Sequence, residues 1–242
     1  MLFLLILIPA LHLAAIPQEK RISYKYQGTE YEGYFIRVGN NNPLVYLVHD
    51  WDGLNDYEIR RAKMLSQEGY NVFAIDLFGK GVKADSMDDR RRLTGELYQN
   101  RDKMRGIMLA SMKAMKDAGL KETNAVAAGY CFGGSAVLEL ARSGTALKGF
   151  VPFHGGLATP DGQDFTRTKG KIVVFHGTAD ASVSMEEFAN LASELEKSGI
   201  SHEMITYSGA PHAFTVFDSP RYQKTADEQS WARFLRFLKE EL

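Results

Sequence analysis

Residues 125–134 read Ala125-Val126-Ala127-Ala128-Gly129-Tyr130-Cys131-Phe132-Gly133-Gly134 and hold the only cysteine of the 242-residue chain. The apolar run 125–128 reads as a buried strand. Ser135-Ala136-Val137-Leu138-Glu139-Leu140-Ala141-Arg142 reads as a helix. The cysteine lies between them in the pattern Gly-x-Cys-x-Gly, the order required to present a nucleophile on a sharp strand-to-helix turn. Glycines two residues either side let neighbouring elements approach where a Cβ would clash. A helix N-terminus aimed at the sulfur is expected to favour thiolate. A lone cysteine also suits a small buried hydrophobe, so the decision falls to the rest of the chain.

Working outward, 44–48 is a continuous apolar run, 71–75 and 172–176 read as further buried strands, and 148–153 and 203–207 as strands. Such runs suit strands covered on both faces. Amphipathic stretches are expected to form helices at about 55–68, 102–118, 184–197 and 225–239, with Met104, Met108, Ser111 and Met115 as a core stripe on the second. Met185, Phe188, Ala192 and Leu195 are expected on the inner face of the third, and Trp231, Phe234, Leu235 and Leu238 on that of the fourth. Polar/apolar alternation at 23–26 and 30–38 around Gly28-Thr29 predicts a hairpin. Residues 86–100 are densely charged and predict no definite element. Strand and helix alternate six times, which predicts a three-layer α/β sandwich with a mostly parallel sheet and an N-terminal antiparallel hairpin. Ligands bind such sheets at the carboxyl ends of the strands. Asp50, Asp76, Cys131, His154, Asp180 and His212 all follow strands there.

The net charge of −1 offers nothing to draw nucleic acid or an anionic membrane. A single cysteine excludes an intramolecular disulfide and a cysteine-rich zinc site. Residues 1–15 are apolar, too short for comfortable bilayer spanning, and end in Leu13-Ala14-Ala15. They are expected to be a signal peptide, although no Lys or Arg precedes the apolar run. The domain proper is then 20–242, exported to the periplasm or medium, or cytoplasmic if the segment is instead a buried first strand or helix.

A thiol with an ordinary pKa near 8.5 is only a few per cent ionised at pH 7 and needs a base. Histidine is the usual base, with a carboxylate fixing its tautomer. Cys131, Asp180 and His212 follow separate strands in the chain order nucleophile, acid, histidine. Backbone N–H groups of Phe132 and Trp51 are the candidate oxyanion donors. His49, His154, His176 and His212 show no close ligand spacing, so no metal is expected. His49 and His176 are expected to bond to neighbouring loops.

Gly129-Tyr130-Cys131-Phe132-Gly133-Gly134, His176-Gly177-Thr178-Ala179-Asp180 and Gly209-Ala210-Pro211-His212-Ala213-Phe214 together resemble the dienelactone hydrolase family of α/β hydrolases. Asp50-Trp51-Asp52-Gly53-Leu54-Asn55 and Asp76-Leu77-Phe78 extend the resemblance. It implies hydrolysis of a small ester or lactone through a thioester acyl-enzyme; no cofactor is expected, and the protein is expected to be a monomer. It also implies that the carboxylate at Asp50, commonly glutamate in the family, hydrogen-bonds the resting thiol and takes its proton. In members that cleave dienelactone, arginines hold the substrate carboxylate. Arg92 corresponds to one, but the second position is Val216 and a nearby expected tyrosine is Glu96. These departures point away from dienelactone itself. The alternatives are a single-cysteine redox enzyme, which needs no Asp180, and a non-catalytic binding module.

Overall fold

The computed structural model describes residues 17–121 and 123–242. The expected signal segment, 1–15, lies outside them. The first strands are β1 (Gln18–Tyr26), β2 (Thr29–Arg37) and β3 (Leu44–Val48), followed by α1 (Asp56–Gln67) and β4 (Asn71–Ile75). Helices α2 (Met87–Gln99) and α3 (Arg101–Asp117) precede β5 (Ala125–Tyr130) and α4 (Phe132–Arg142). Then come β6 (Ala146–Phe153), β7 (Lys169–Gly177), α5 (Met185–Lys197), β8 (His202–Tyr207) and α6 (Lys224–Glu241).

The eight strands form one sheet in the order β1-β2-β4-β3-β5-β6-β7-β8. The hairpin β1–β2 is antiparallel and joins β4 antiparallel, while all remaining pairs run parallel. Strand periodicity explains the layers. In β3, Leu44, Tyr46 and Val48 face one core with Met104, Met108, Met115, Leu138 and Leu195, and Val45 and Leu47 face another with Ala62, Leu65, Phe234 and Phe237. Helices α1 and α6 therefore cover one face and α3, α4 and α5 the other. Burial of each such side chain contributes about 1.5–3 kcal/mol relative to exposure. This is the three-layer α/β arrangement expected from the alternation of elements.

Local signals set the helix starts. Asn55 accepts from the Tyr57 N–H while Glu58 returns a bond to the Asn55 N–H, and Ser184 with Glu187 repeats the device on α5.

Several expectations change. The charged segment 86–100 contains α2, capped by Ser86 and buried through Leu93, Thr94 and Leu97. Met185 occupies the first turn of α5 and is exposed, whereas Leu191 and Leu195 enter the core. Phe237, rather than Leu235, completes the buried face of α6. Helix α4 starts at Phe132, directly after the cysteine, so no turn of loop separates the two.

Candidate active site

Cys131 sits between β5 and α4 with φ 49° and ψ −112°, a left-handed backbone that costs a non-glycine residue strain. Close packing holds it there. A Cβ on Gly129 would lie 2.2 Å from the Gly133 carbonyl oxygen, and one on Gly133 would lie 2.3 Å from that of Val48. Only hydrogen fits at either position, so α4 can sit against the carboxyl ends of β3 and β5. The Cys131 N–H donates to the Phe153 carbonyl at 3.0 Å, tying the turn to β6.

His212, in the loop after β8, places Nε2 3.0 Å from Cys131 Sγ, and its Nδ1 lies 2.8 Å from Asp180 Oδ2. Burial alone would raise the Asp180 pKa, but the His212 contact and the N–H groups of Val183 and Ser182 outweigh it, leaving the carboxyl below its ordinary value. Asp180 is thus an acceptor, Nδ1 carries the proton, and Nε2 in a neutral ring is free to accept one.

A buried shelf backs the histidine loop. Arg61 of α1 pairs with Asp227 of α6 and donates to the Thr215 carbonyl at 2.7 Å. The Thr215 hydroxyl lies 2.6 Å from Tyr57 Oη and 2.7 Å from His154 Nε2. The His154 ring meets that of His212 edge-on, with centroids 5.4 Å apart. Burial first, then the neighbouring His212, keeps the His154 pKa well below the ordinary histidine value. Of the other strand-end histidines, His49 bonds the Asp50 carbonyl and accepts from the Leu77 N–H as expected, whereas His176 stacks on Phe188. Asp76 turns inward to accept from Glu32, Phe78 and Gly79 N–H groups, so it shapes a loop and does not line the cavity.

The thiol itself departs from expectation. Burial, then the charge of Asp50 and a hydrogen bond to that carboxylate, push its pKa well above the ordinary value. The Phe132 N–H at the helix start and the Arg221 charge pull the other way but lose. The resting group is therefore a thiol rather than the thiolate that the helix N-terminus alone predicts. Burial, reinforced by the Asp52 charge, raises Asp50 to about 6, against bonds from the Trp51 N–H and the Cys131 thiol. Despite its shorter side chain, Asp50 lines the same cavity as the sulfur. Its backbone N–H is fixed by buried Glu58 at 3.1 Å, whose own pKa burial lifts to about 8.

Cys131, His212, Asp50, Trp51, Tyr98, Gly156, Ser182, Val183, Glu187, Ala213 and Arg221 line one cavity of about 330 Å³. A larger and shallower hollow, about 610 Å³, lies at the starts of β6 and β7 around Lys148 and Lys169, away from the sulfur. Among the described residues, no group of three or more His, Cys, Asp or Glu side chains is arranged to hold a metal ion.

Arg92 does not line the cavity. It lies on the outer side of α2, 62% exposed, bonded to Asp89 at 3.2 Å. The inward turn of Leu93, Thr94 and Leu97 points it away. Tyr98, near the end of α2, is the residue that reaches the cavity, with its hydroxyl 3.2 Å from Ser135 Oγ. The cationic side chain at the mouth is Arg221. The Tyr222 N–H bonds the Ser219 carbonyl at 2.9 Å and folds Ser219-Pro220-Arg221-Tyr222 back toward His212. Pro220 at the second position of that turn is the signal in the sequence.

The sequence model of the dienelactone hydrolase family matches residues 32–242. The chain belongs to the dienelactone hydrolase family. It is accordingly a hydrolase of ester or lactone bonds. Among relatives of this dienelactone hydrolase family member, Protein usf of Aquifex pyrophilus is 28% identical over 91% of this chain and 98% of its own. A protein of Aquifex aeolicus, provisionally named carboxymethylenebutenolidase, is 28% identical over 80% of this chain and 85% of its own. Among solved structures, a dienelactone hydrolase-like promiscuous phosphotriesterase, P91, from metagenomic libraries superposes with a TM-score of 0.85 at 26% identity. The match covers 94% of this chain and 99% of that one. A structure titled m3DLH gives a TM-score of 0.87 at 28% identity, over 93% and 99% of the two chains.

Proposed function

We propose that this family member hydrolyses small carboxylic esters or lactones through a thioester on Cys131, with His212 and Asp180 completing the triad. The observation that carries the reading is the continuous line Cys131 Sγ, His212 Nε2, His212 Nδ1, Asp180 Oδ2, with contacts of 3.0 and 2.8 Å, opening into a cavity of about 330 Å³. That volume suits a small ligand.

The steps balance as follows. The S–H proton passes to Asp50 as sulfur adds to the carbonyl, and the carbonyl π pair moves onto oxygen. Collapse expels the alkoxide, which takes the proton from Asp50. His212 Nε2 then takes a proton from water as hydroxide adds to the thioester. The second collapse expels thiolate, which regains a proton from His212. Asp180 keeps the imidazole in the required tautomer throughout. The cationic Arg221 at the mouth suits substrates carrying a negative charge, and Trp51, Tyr98 and Val183 suit an apolar acyl or leaving group.

The redox alternative needs a thiol of low pKa, and the burial and Asp50 contact that raise Cys131 oppose it. A binding module would not need the Cys131, Asp180 and His212 alignment. On p-nitrophenyl acetate, Cys131→Ala is expected to abolish turnover and His212→Ala nearly to do so. Full activity in Cys131→Ala would reject the mechanism. Export of the chain is part of the same proposal. It predicts a mature N-terminus beyond Ala15, and a protein beginning at Met1 in a cytosolic fraction would contradict it.

A further inference from the structure

One of the two backbone N–H groups expected to bind the oxyanion, that of Trp51, is already engaged in the resting site. The Trp51 N–H donates to Asp50 Oδ1, the carboxylate that also accepts the Cys131 thiol. An oxyanion hole gains its power from donors free to meet the charge that develops in the transition state. A carboxylate competes strongly for an N–H, because bonds to charged acceptors are roughly twice as strong as neutral ones. A protonated carboxyl is a much weaker competitor.

We propose that Asp50 is a latch that couples the two halves of the site, surrendering the Trp51 N–H to the oxyanion only as it receives the thiol proton. The S–H bond breaks and an O–H bond forms on Asp50. The N–H···Oδ1 contact then yields to N–H···O⁻ on the tetrahedral intermediate. Ionisation of the sulfur and opening of the oxyanion hole become one event. The coupling rests on the thioester reading above, and it explains how a site can keep a neutral thiol yet lose no donor when it reacts. The geometry supports it on one further point. Glu58 clamps the Asp50 N–H at 3.1 Å, so the carboxylate pivots on a fixed backbone next to Trp51.

Two variants separate the roles of Asp50. Asp50→Asn cannot take a proton but keeps an oxygen able to hold the Trp51 N–H. Asp50→Ala releases it permanently. Alkylation of Cys131 by iodoacetamide needs no oxyanion hole, whereas acylation by p-nitrophenyl acetate does. An amide oxygen is as neutral as the protonated carboxyl, so the ratio of acylation to alkylation rates is expected to agree within about threefold between Asp50→Asn and Asp50→Ala. A ratio about 10- to 100-fold lower in Asp50→Asn, a neutral oxygen then sufficing to block a donor worth roughly 10²–10³ in rate, overturns the latch while leaving the thioester mechanism intact. A wild type that is alkylated but never acylated at Cys131 overturns both.

A second readout uses the unaltered protein, with Asp50 facing Asp52, Glu58, Cys131 and His212. The Trp51 amide proton and the Asp50 carboxyl carbon are expected to titrate by NMR with a shared midpoint. A Trp51 amide unmoved while that carbon titrates contradicts the latch.

Discussion

Replacing Gly133 with alanine tests whether the cysteine turn is held by backbone contact alone. Two effects oppose each other. Alanine in a helix is more stable than glycine by about 1 kcal/mol, less in a first turn. Against this, the new Cβ would lie 2.3 Å from the Val48 carbonyl oxygen and 2.6 Å from that of His49, where ordinary contact begins at 3.4 Å. Both oxygens belong to the end of β3, in the middle of the sheet, and cannot rotate away as a side chain could. Helix α4 must therefore retreat by about 1 Å, the difference between the two distances. Overpacking of this kind costs about 1–3 kcal/mol, so the clash wins by roughly 1–2 kcal/mol. For a chain of this size the melting temperature should fall by roughly 2–8 °C. The larger effect is on rate. Cys131 immediately precedes the helix, and a displacement of about 1 Å from reactive geometry can cost about 100-fold. Thermal unfolding and kcat on p-nitrophenyl acetate, measured together, give the answer. A Gly133→Ala protein with wild-type stability and wild-type kcat would refute the reasoning.

Asp180→Asn should lower kcat by about 10³–10⁴, because His212 loses the partner that fixes its tautomer. Alkylation of Cys131 by iodoacetamide should survive, so stopped-flow comparison of the two reactions locates the defect. Arg221→Ala should raise KM for an anionic ester roughly tenfold and leave a matched neutral ester unchanged, with the contrast shrinking as salt rises; equal effects on both esters would reject an electrostatic role. Glu58 sets a pH dependence of stability whose sign is fixed by its raised pKa. The unfolded chain loses this proton near 4.5 and the folded one keeps it to about 8, so stability falls as pH rises between those values. The slope is at most about 1.4 kcal/mol per pH unit. Urea unfolding across that range should become flatter in Glu58→Gln, and an unchanged slope would count against the assignment.

The buried strands were readable because β3, β4 and β5 are covered on both faces, and an apolar run has no other stable home. Helix α2 was not, because Asp88-Asp89-Arg90-Arg91-Arg92 swamps the three residues that it buries. The exposure of Met185 follows from its place in the first turn of α5, which periodicity does not reveal. Glu58 and Arg61 were invisible for the opposite reason. Amphipathic reasoning sends charges outward, and these two go inward because the N–H groups of nearby Asp50 and Asn55 meet Glu58, and Asp227 and Thr215, from distant parts of the chain, meet Arg61. At the site, Cys131, Asp180 and His212 were legible from their order after separate strands. Arg221 was not, since its approach depends on a turn closed between Ser219 and Tyr222. The helix N-terminus taken alone misleads about the thiol for a similar reason. A helix N-terminus is visible in sequence, but desolvation and the carboxylate that outweigh it belong to the folded cavity.

The central claim is that Cys131 carries the acyl group. Wild type and His212→Ala, mixed with p-nitrophenyl acetate, quenched in acid and digested, can be compared by mass spectrometry. The account predicts one acetyl group on the peptide containing Cys131, accumulating in His212→Ala because deacylation lacks its base, and absent from Cys131→Ala. Acetyl on another residue during turnover, or turnover that persists in Cys131→Ala, would contradict it.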